Sequence, residues 1–178
     1  MKNLKIVAVV GSKKSGKTTV VEALIEEFVR RGYNVAAVKH VSESAFTIDA
    51  AGKDTWRFGR AGAKTVVSVA ATEIATIQKA SFESLSLESV LQRVCESDIV
   101  FIEGLRGLVG ARPDVPKIVT VKTLDEARTA LETFRPIIAF SGICTAECLQ
   151  LNLPYIDVLK HPAKLADFVE AYFQKVEA

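Results

Sequence analysis

The residues best placed to do chemistry form one short run near the start of the chain. Gly11-Ser12-Lys13-Lys14-Ser15-Gly16-Lys17-Thr18 fits the pattern G-x-x-x-x-G-K-[ST] without a gap. Two glycines at that spacing let successive backbone N–H groups turn inward around an oxyanion. A helix opening directly afterwards offers its positive end to the same group. Lys17 is expected to reach the β and γ oxygens of a nucleoside triphosphate and to neutralise charge during phosphoryl chemistry. Thr18 offers its hydroxyl to magnesium. Ser12, Lys13, Lys14, Ser15 and Thr19 complete the cofactor-binding set around Gly11, Gly16, Lys17 and Thr18. Lys13 and Lys14 have two readings, added charge at the phosphates or solvated loop lysines.

A magnesium ion on a triphosphate uses few carboxylates and several waters. Glu103 directly follows Asp98-Ile99-Val100-Phe101-Ile102 and precedes Gly104, so it stands at the carboxyl end of a buried strand, where ligands of parallel sheets lie. Asp98 begins the same strand at the opposite end and reads as a structural residue. Lys39-His40 ends a further strand on the ligand side, with His40 either contacting substrate or hydrogen-bonded within the fold. Beyond it, Asp49, Lys53, Asp54 and Arg57 form a polar cluster. Asp54 is a candidate for magnesium or for positioning water, and Asp49 either does the same or caps a helix beginning near Gly52. No nucleophile and base stand together for acyl transfer, which leaves phosphoryl positioning and charge neutralisation.

The elements that must position these groups are legible from periodicity. Leu4–Val10 is a β-branched run fit for a doubly covered strand, and Thr19–Arg31 carries a helical apolar stripe ending at Gly32. Val35–Val38, Asp98–Ile102, Lys117–Val121, Pro136–Phe140 and Tyr155–Val158 read as strands. Helices are expected at Gly52–Ala61, around Leu87–Val94, from Thr123 with Glu126 as a capping box, at Cys144–Leu151 and from Pro162. The last of these is expected to bury Leu165, Phe168, Val169, Tyr172, Phe173 and Val176 on one face. Lys64–Ala70 and Glu73–Lys79 predict a hairpin. The expected architecture is one α/β domain over 1–178, a mostly parallel doubly wound sheet of the P-loop NTPase fold, with a β-hairpin insertion near 64–79.

Composition narrows the function classes. The chain has 178 residues, 49% of them apolar, and 23 basic against 21 acidic side chains leave a net charge of +2. Nothing in that balance drives binding to nucleic acid. No run of about eighteen apolar residues marks a membrane span, and no signal segment precedes the first strand; a cytoplasmic protein is expected. Cys95, Cys144 and Cys148 lack metal-like pairing and read as buried free thiols. Guanine-reading N-K-x-D is absent, because Val121-Lys122-Thr123-Leu124-Asp125 is one residue too long and lacks the asparagine. Ser141-Gly142-Ile143 and Asp157–Pro162 are placed to flank a base, and the residues leave ATP and GTP both open.

The order Gly11–Thr19, Lys39-His40, Gly52-Lys53-Asp54-Thr55-Trp56-Arg57 with Ala61-Gly62-Ala63, then Ile102-Glu103-Gly104 resembles the B protein family of molybdopterin-guanine dinucleotide biosynthesis (MobB) over roughly the first two-thirds of the chain. The resemblance implies GTP binding with weak magnesium-dependent hydrolysis, a homodimer, and as partner the guanylyltransferase that joins GMP to molybdopterin. It places Gly11, Lys17 and Thr18 on phosphate and magnesium, and Asp54 with Glu103 near the metal. Val41–Ala45 lacks the histidine-rich stretch that many family members carry there. ATPases of the partitioning type have an extra lysine where this chain has Ser12. An ATP-dependent small-molecule kinase or ligase, similar to dethiobiotin synthetase, is the alternative and would need an acceptor pocket.

Overall fold

A continuous run of β-branched and small apolar residues makes the first strand, β1 (Lys5–Gly11), whose Val7, Ala8, Val9 and Val10 are fully buried. In the computed structural model, which describes residues 4–43, 45–144 and 152–177, β1 is the centre of a five-stranded sheet. Its order is β2-β5-β1-β6-β7, with β2 (Val35–Lys39), β5 (Ile99–Glu103), β6 (Lys117–Val121) and β7 (Ile137–Gly142). Every pairing in it is parallel. The mostly parallel doubly wound sheet expected from the sequence is therefore present.

Helices cover both faces because alternate residues of each strand point to opposite sides. On one face α1 (Lys17–Arg30) and α6 (Pro162–Glu177) pack over Val7, Val9, Phe101 and Ile118, with Phe28 edge-on to Phe101 at 5.3 Å. Each such fully buried side chain contributes about 2 kcal/mol of transfer free energy. On the other face α3 (Leu87–Leu91), α4 (Arg106–Val109) and α5 (Leu124–Thr133) cover Ala8, Val10, Val100 and Val119. The chain divides into two compact units, the second being Val41–Ser86. It holds α2 (Asp54–Arg60) and the antiparallel hairpin β3 (Thr65–Val69) with β4 (Ile74–Gln78). The hairpin lies where it was expected, while the insertion is wider than 64–79. Within that unit Val66 is buried, whereas Val67, Val69 and Ile74 share an exposed face.

Several local expectations differ from the structure. Tyr155–Val158 forms only a bridge from Tyr155 to Phe140, since the chain turns at Asp157, whose carbonyl accepts the N–H groups of Lys160 and His161. Phe168 and Val176 of α6 are exposed; the buried stripe is the narrower row Leu165, Ala166 and Val169, and Val176 stands in the last turn. The capping box at Thr123 is half formed. Thr123 accepts from the Glu126 N–H at 3.2 Å, but the Glu126 carboxylate accepts from the Lys122 N–H at 2.8 Å instead of returning to Thr123. Cys95 is exposed and Cys144 is disulfide-bonded, which corrects the reading as buried free thiols; Cys148 and the helix expected at Cys144–Leu151 lie outside the described residues, apart from Cys144 itself. No helix of the described residues is long and apolar enough to cross a membrane.

Asp98 has the structural role expected of it, accepting the Asn34 N–H at 2.7 Å at the foot of the sheet. At the same end a fully buried lysine, Lys117, donates to the carbonyls of Arg112 and Arg135. Burial pushes its ammonium down to about 8, with Asp114 opposing and Arg112 adding to the fall. Folding thus disfavours the charged form, and between about pH 8 and the ordinary 10.5 the unfolded chain binds the extra proton. Stability from this group should rise with pH across that window. Urea titrations of the wild type and Lys117→Met at pH 7.5 and 9.5 test the sign: the gap should shift toward the wild type at the higher pH, and an unchanged gap would refute it.

Candidate functional site

Parallel register brings one row of side chains to the carboxyl edge of the sheet. Lys39 pairs with Glu103 across β2 and β5, Val9 pairs with Glu103 across β5 and β1, and Gly11 pairs with Thr120 across β1 and β6. The loop from Gly11 to Gly16 leaves β1 at this edge, and α1 begins at Lys17, two residues before its periodicity suggests. Gly16 is left-handed at φ 94°. Gly11 has no room for a side chain, since a Cβ there would run into the Thr120 carbonyl and hydroxyl oxygens.

Hydrogen bonds hold the loop in its turned shape. Ser15, fully buried, donates to the Ser12 carbonyl at 2.8 Å and lies 2.6 Å from the Thr120 hydroxyl. Lys17 donates to the same Ser12 carbonyl at 2.6 Å, so its ammonium is held against the loop it serves. Ser12 Oγ donates to Glu126 at 3.0 Å, and Lys122 Nζ reaches the Lys13 carbonyl at 3.4 Å. Lys13 and Lys14 are themselves exposed, and Lys14 adopts φ 60°. Thr19 is half-buried behind the loop.

Of the three residues expected at the metal, Thr18 and Glu103 lie side by side. Thr18 donates to both Glu103 oxygens at 3.2 and 3.1 Å. Lys39 Nζ donates to Glu103 at 2.9 Å and to Thr18 Oγ1 at 3.4 Å. A hydroxyl and one carboxylate are the donor set that magnesium takes alongside phosphate oxygens, and the two already share a cation in the Lys39 ammonium. Among the described residues no cluster of three His, Cys, Asp or Glu forms a self-sufficient metal cage. Asp54 belongs to the inserted unit, where it opens α2 exposed and lies 3.4 Å from Arg57. Asp49 accepts the Thr55 hydroxyl at 2.8 Å in that same unit. His40 packs beside Gly104, whose φ is 88° and whose Cβ would stand 3.0 Å from the His40 Cβ.

Electrostatics at the loop favour an anion. Burial lowers the Lys17 ammonium below its ordinary range; Glu103 opposes this, and Lys39, Arg106 and Lys122 add to it. Cations from β2, α4 and the end of β6 thus surround Lys17, with Glu103 as their counter-charge. Arg106 and Lys122 escaped the sequence reading because neither belongs to the glycine-rich motif. Their only sequence signal is their place just after a strand. Glu126 was read as a capping residue alone. Burial works against its charge, yet the Lys122 N–H, the Ser12 hydroxyl and the Lys122 ammonium hold its carboxyl below the usual range.

Gly142 was read only as flanking a base, but it also closes the site. Its φ is 108°, and a Cβ there would lie 2.7 Å from both the Ser15 and the Val121 carbonyl oxygens. The Tyr155 hydroxyl donates to the Gly142 carbonyl at 2.8 Å and holds the turn.

The family model described as molybdopterin guanine dinucleotide synthesis protein B matches residues 6–141. A putative molybdopterin-guanine dinucleotide biosynthesis adapter protein of Methanocaldococcus jannaschii is 33% identical over 126 residues, covering 68% of this chain and 49% of that protein. The chain thus spans about half the length of that relative. The adapter protein of Haemophilus influenzae is 28% identical over 169 residues, covering 94% of this chain and 88% of its own. A crystal structure of molybdopterin-guanine biosynthesis protein B aligns with TM-score 0.70 at 23% identity, over 95% of this chain and 99% of the other. Bacillus subtilis MobB aligns with TM-score 0.69 at 24% identity, over 92% and 97%. The two structures share the fold, which is the P-loop NTPase-like arrangement read from the sequence.

Gly142→Ala should destabilise the chain by about 1–3 kcal/mol, through left-handed strain and collision with the loop. Urea unfolding measures it; a variant within 0.5 kcal/mol of wild type (roughly the spread of neutral surface changes) would show that the contact is not tight.

Proposed function

The chain belongs to the family of molybdopterin guanine dinucleotide synthesis protein B, and we propose that it serves that biosynthesis as an accessory protein that binds GTP with magnesium and hydrolyses it slowly. The observation that carries this reading is the glycine-turned loop that opens α1, with Lys17 folded back onto the Ser12 carbonyl beside the Thr18–Glu103 pair. Backbone N–H groups of the loop and the N-terminus of α1 would receive the phosphates, with Lys17 on the β and γ oxygens. Thr18 and Glu103 would hold magnesium, which when bound neutralises charge on the phosphate oxygens. Glu103 is engaged by Thr18 and Lys39, an arrangement suited to holding a cation more than to taking a proton. Asp54 joins the metal and catalytic set in this proposal through the family resemblance.

The partners proposed are the guanylyltransferase that forms molybdopterin-guanine dinucleotide and a second copy of this chain. Names of the relatives as adapter proteins support the first. For the second, an isolated two-stranded ribbon is marginal in water, and β3 with β4 leaves Val67, Val69 and Ile74 exposed on one face.

Calorimetric titration with GTP and ATP, each with and without magnesium, tests the reading. Wild type should bind GTP with magnesium dependence and prefer it to ATP. Lys17→Ala should weaken GTP by about a hundredfold, the loss of one or two charge-assisted bonds. Glu103→Gln should retain nucleotide binding while losing most of the magnesium dependence. Preference for ATP would remove the GTP assignment, and no saturable nucleotide binding would remove the function.

A further inference from the structure

Between β5 and β6 the connecting helix α4 is only four residues long, and beside it lies a cavity of about 340 Å³ between β6, α5 and the start of the phosphate loop. Ser12, Arg106, Val119, Thr129, Ala130 and Phe134 are among its lining residues. We propose that this cavity is a second-ligand site, taking a small molecule that joins a flat apolar ring to one anionic group.

Size and lining support a ligand of that class. The volume falls within the range of small-molecule sites, which are mainly apolar with a few placed polar groups. Val119, Ala130 and Phe134 supply buried apolar surface for a ring. Arg106 supplies the charge. Its guanidinium lies 5.2 Å from the Phe134 ring centroid, and among the described residues it has no hydrogen-bond or ion-pair partner. Five N–H donors therefore stand ready for a carboxylate or phosphate. The two carboxylates at the cavity do not cancel it: Glu126 is engaged by Ser12 and Lys122, and Asp125 lies 3.5 Å from Arg128 at the surface.

Its place relative to the loop gives the site a function. Lys17 of such a loop reaches the β and γ oxygens, and here Lys17 Nζ is 2.6 Å from the Ser12 carbonyl. Ser12 therefore marks the terminal-phosphate end of the loop, and Ser12 is also a wall of the cavity. The far end of the loop, Gly16, abuts Gly142 instead. A molecule in the cavity would lie beside the terminal phosphate and away from the turn expected to flank the base. That last step rests on the nucleotide reading; the cavity and its anion-binding arginine do not.

Phenyl phosphate is a probe with the right ring and charge, and titration of the full isotope-labelled chain followed by amide NMR tests the site. Saturable shifts are expected at Val119–Val121 and Thr129–Phe134, in wild type and equally in Lys17→Ala. Arg106→Gln should weaken them about tenfold, as loss of one charge-assisted bond predicts. Thr129→Trp, at an exposed position that fills the cavity, should abolish them without unfolding the chain. Shifts confined to Gly11–Thr18 and lost in Lys17→Ala would mean that the probe reads only the phosphate loop, and would overturn the proposal. So would shifts at α5 that survive Thr129→Trp. A GTP titration of the same sample separates the two readings, since loss of nucleotide binding with intact α5 shifts would sink the proposed function and leave this site standing.

Discussion

The structure depends on how closely the loop after β1 is pressed against the edge of the sheet. Gly11 lies so near Thr120 that no Cβ fits, and Gly142 closes on the Ser15 carbonyl from the other side. Between them Ser15, fully buried, bridges the Ser12 carbonyl and the Thr120 hydroxyl. A buried hydroxyl without partners would carry a desolvation cost, so the bridge both satisfies Ser15 and fixes the turn. Everything that follows in the site inherits its position from that contact.

Seen from this clasp, the parallel sheet is a device for alignment. Each strand of a parallel sheet ends on the same side, and register sets which side chains share a row. Glu103 stands beside Lys39 and beside β1, which carries the loop two residues further. Thr18, the second residue of α1, meets Glu103 because α1 starts directly at Lys17. Lys122 from the β6–α5 turn and Glu126 from the first turn of α5 reach the loop, so that turn of α5 supports the glycine-rich loop as well as its own helix. A change in α5 therefore reaches the loop through a single carboxylate.

The inserted unit has a different physical character. Its hairpin alternates Val66 inward with Val67 and Val69 outward, and of these three only Val66 is buried. Trp56 and Arg60 stack at 5.7 Å on α2, and a cavity of about 590 Å³ lies among Phe46, Ile48, Trp56 and Ile77. Apolar surface left outside is the mark of a segment whose burial is completed by something else. The sheet unit, by contrast, buries its two apolar faces within itself.

The sheet class, the glycine-rich turn after β1 and the place of Glu103 at the carboxyl end of its strand were legible in the sequence alone. These rest on local patterns: β-branched runs make covered strands, two glycines let the chain turn sharply between a strand and a helix, and a carboxylate after a strand must stand at its end. What only the tertiary structure decided is which distant residues join them. Arg106, Lys122 and Gly142 carry no motif, and Glu126 looked complete as a cap, because their roles arise from strand order and not from spacing along the chain. Strand pairing likewise decided that Tyr155 makes one bridge and no strand, and α6 packing decided that Phe168 stays outside. Periodicity states which face of an element is apolar; only the neighbour it packs against decides how wide a stripe is covered.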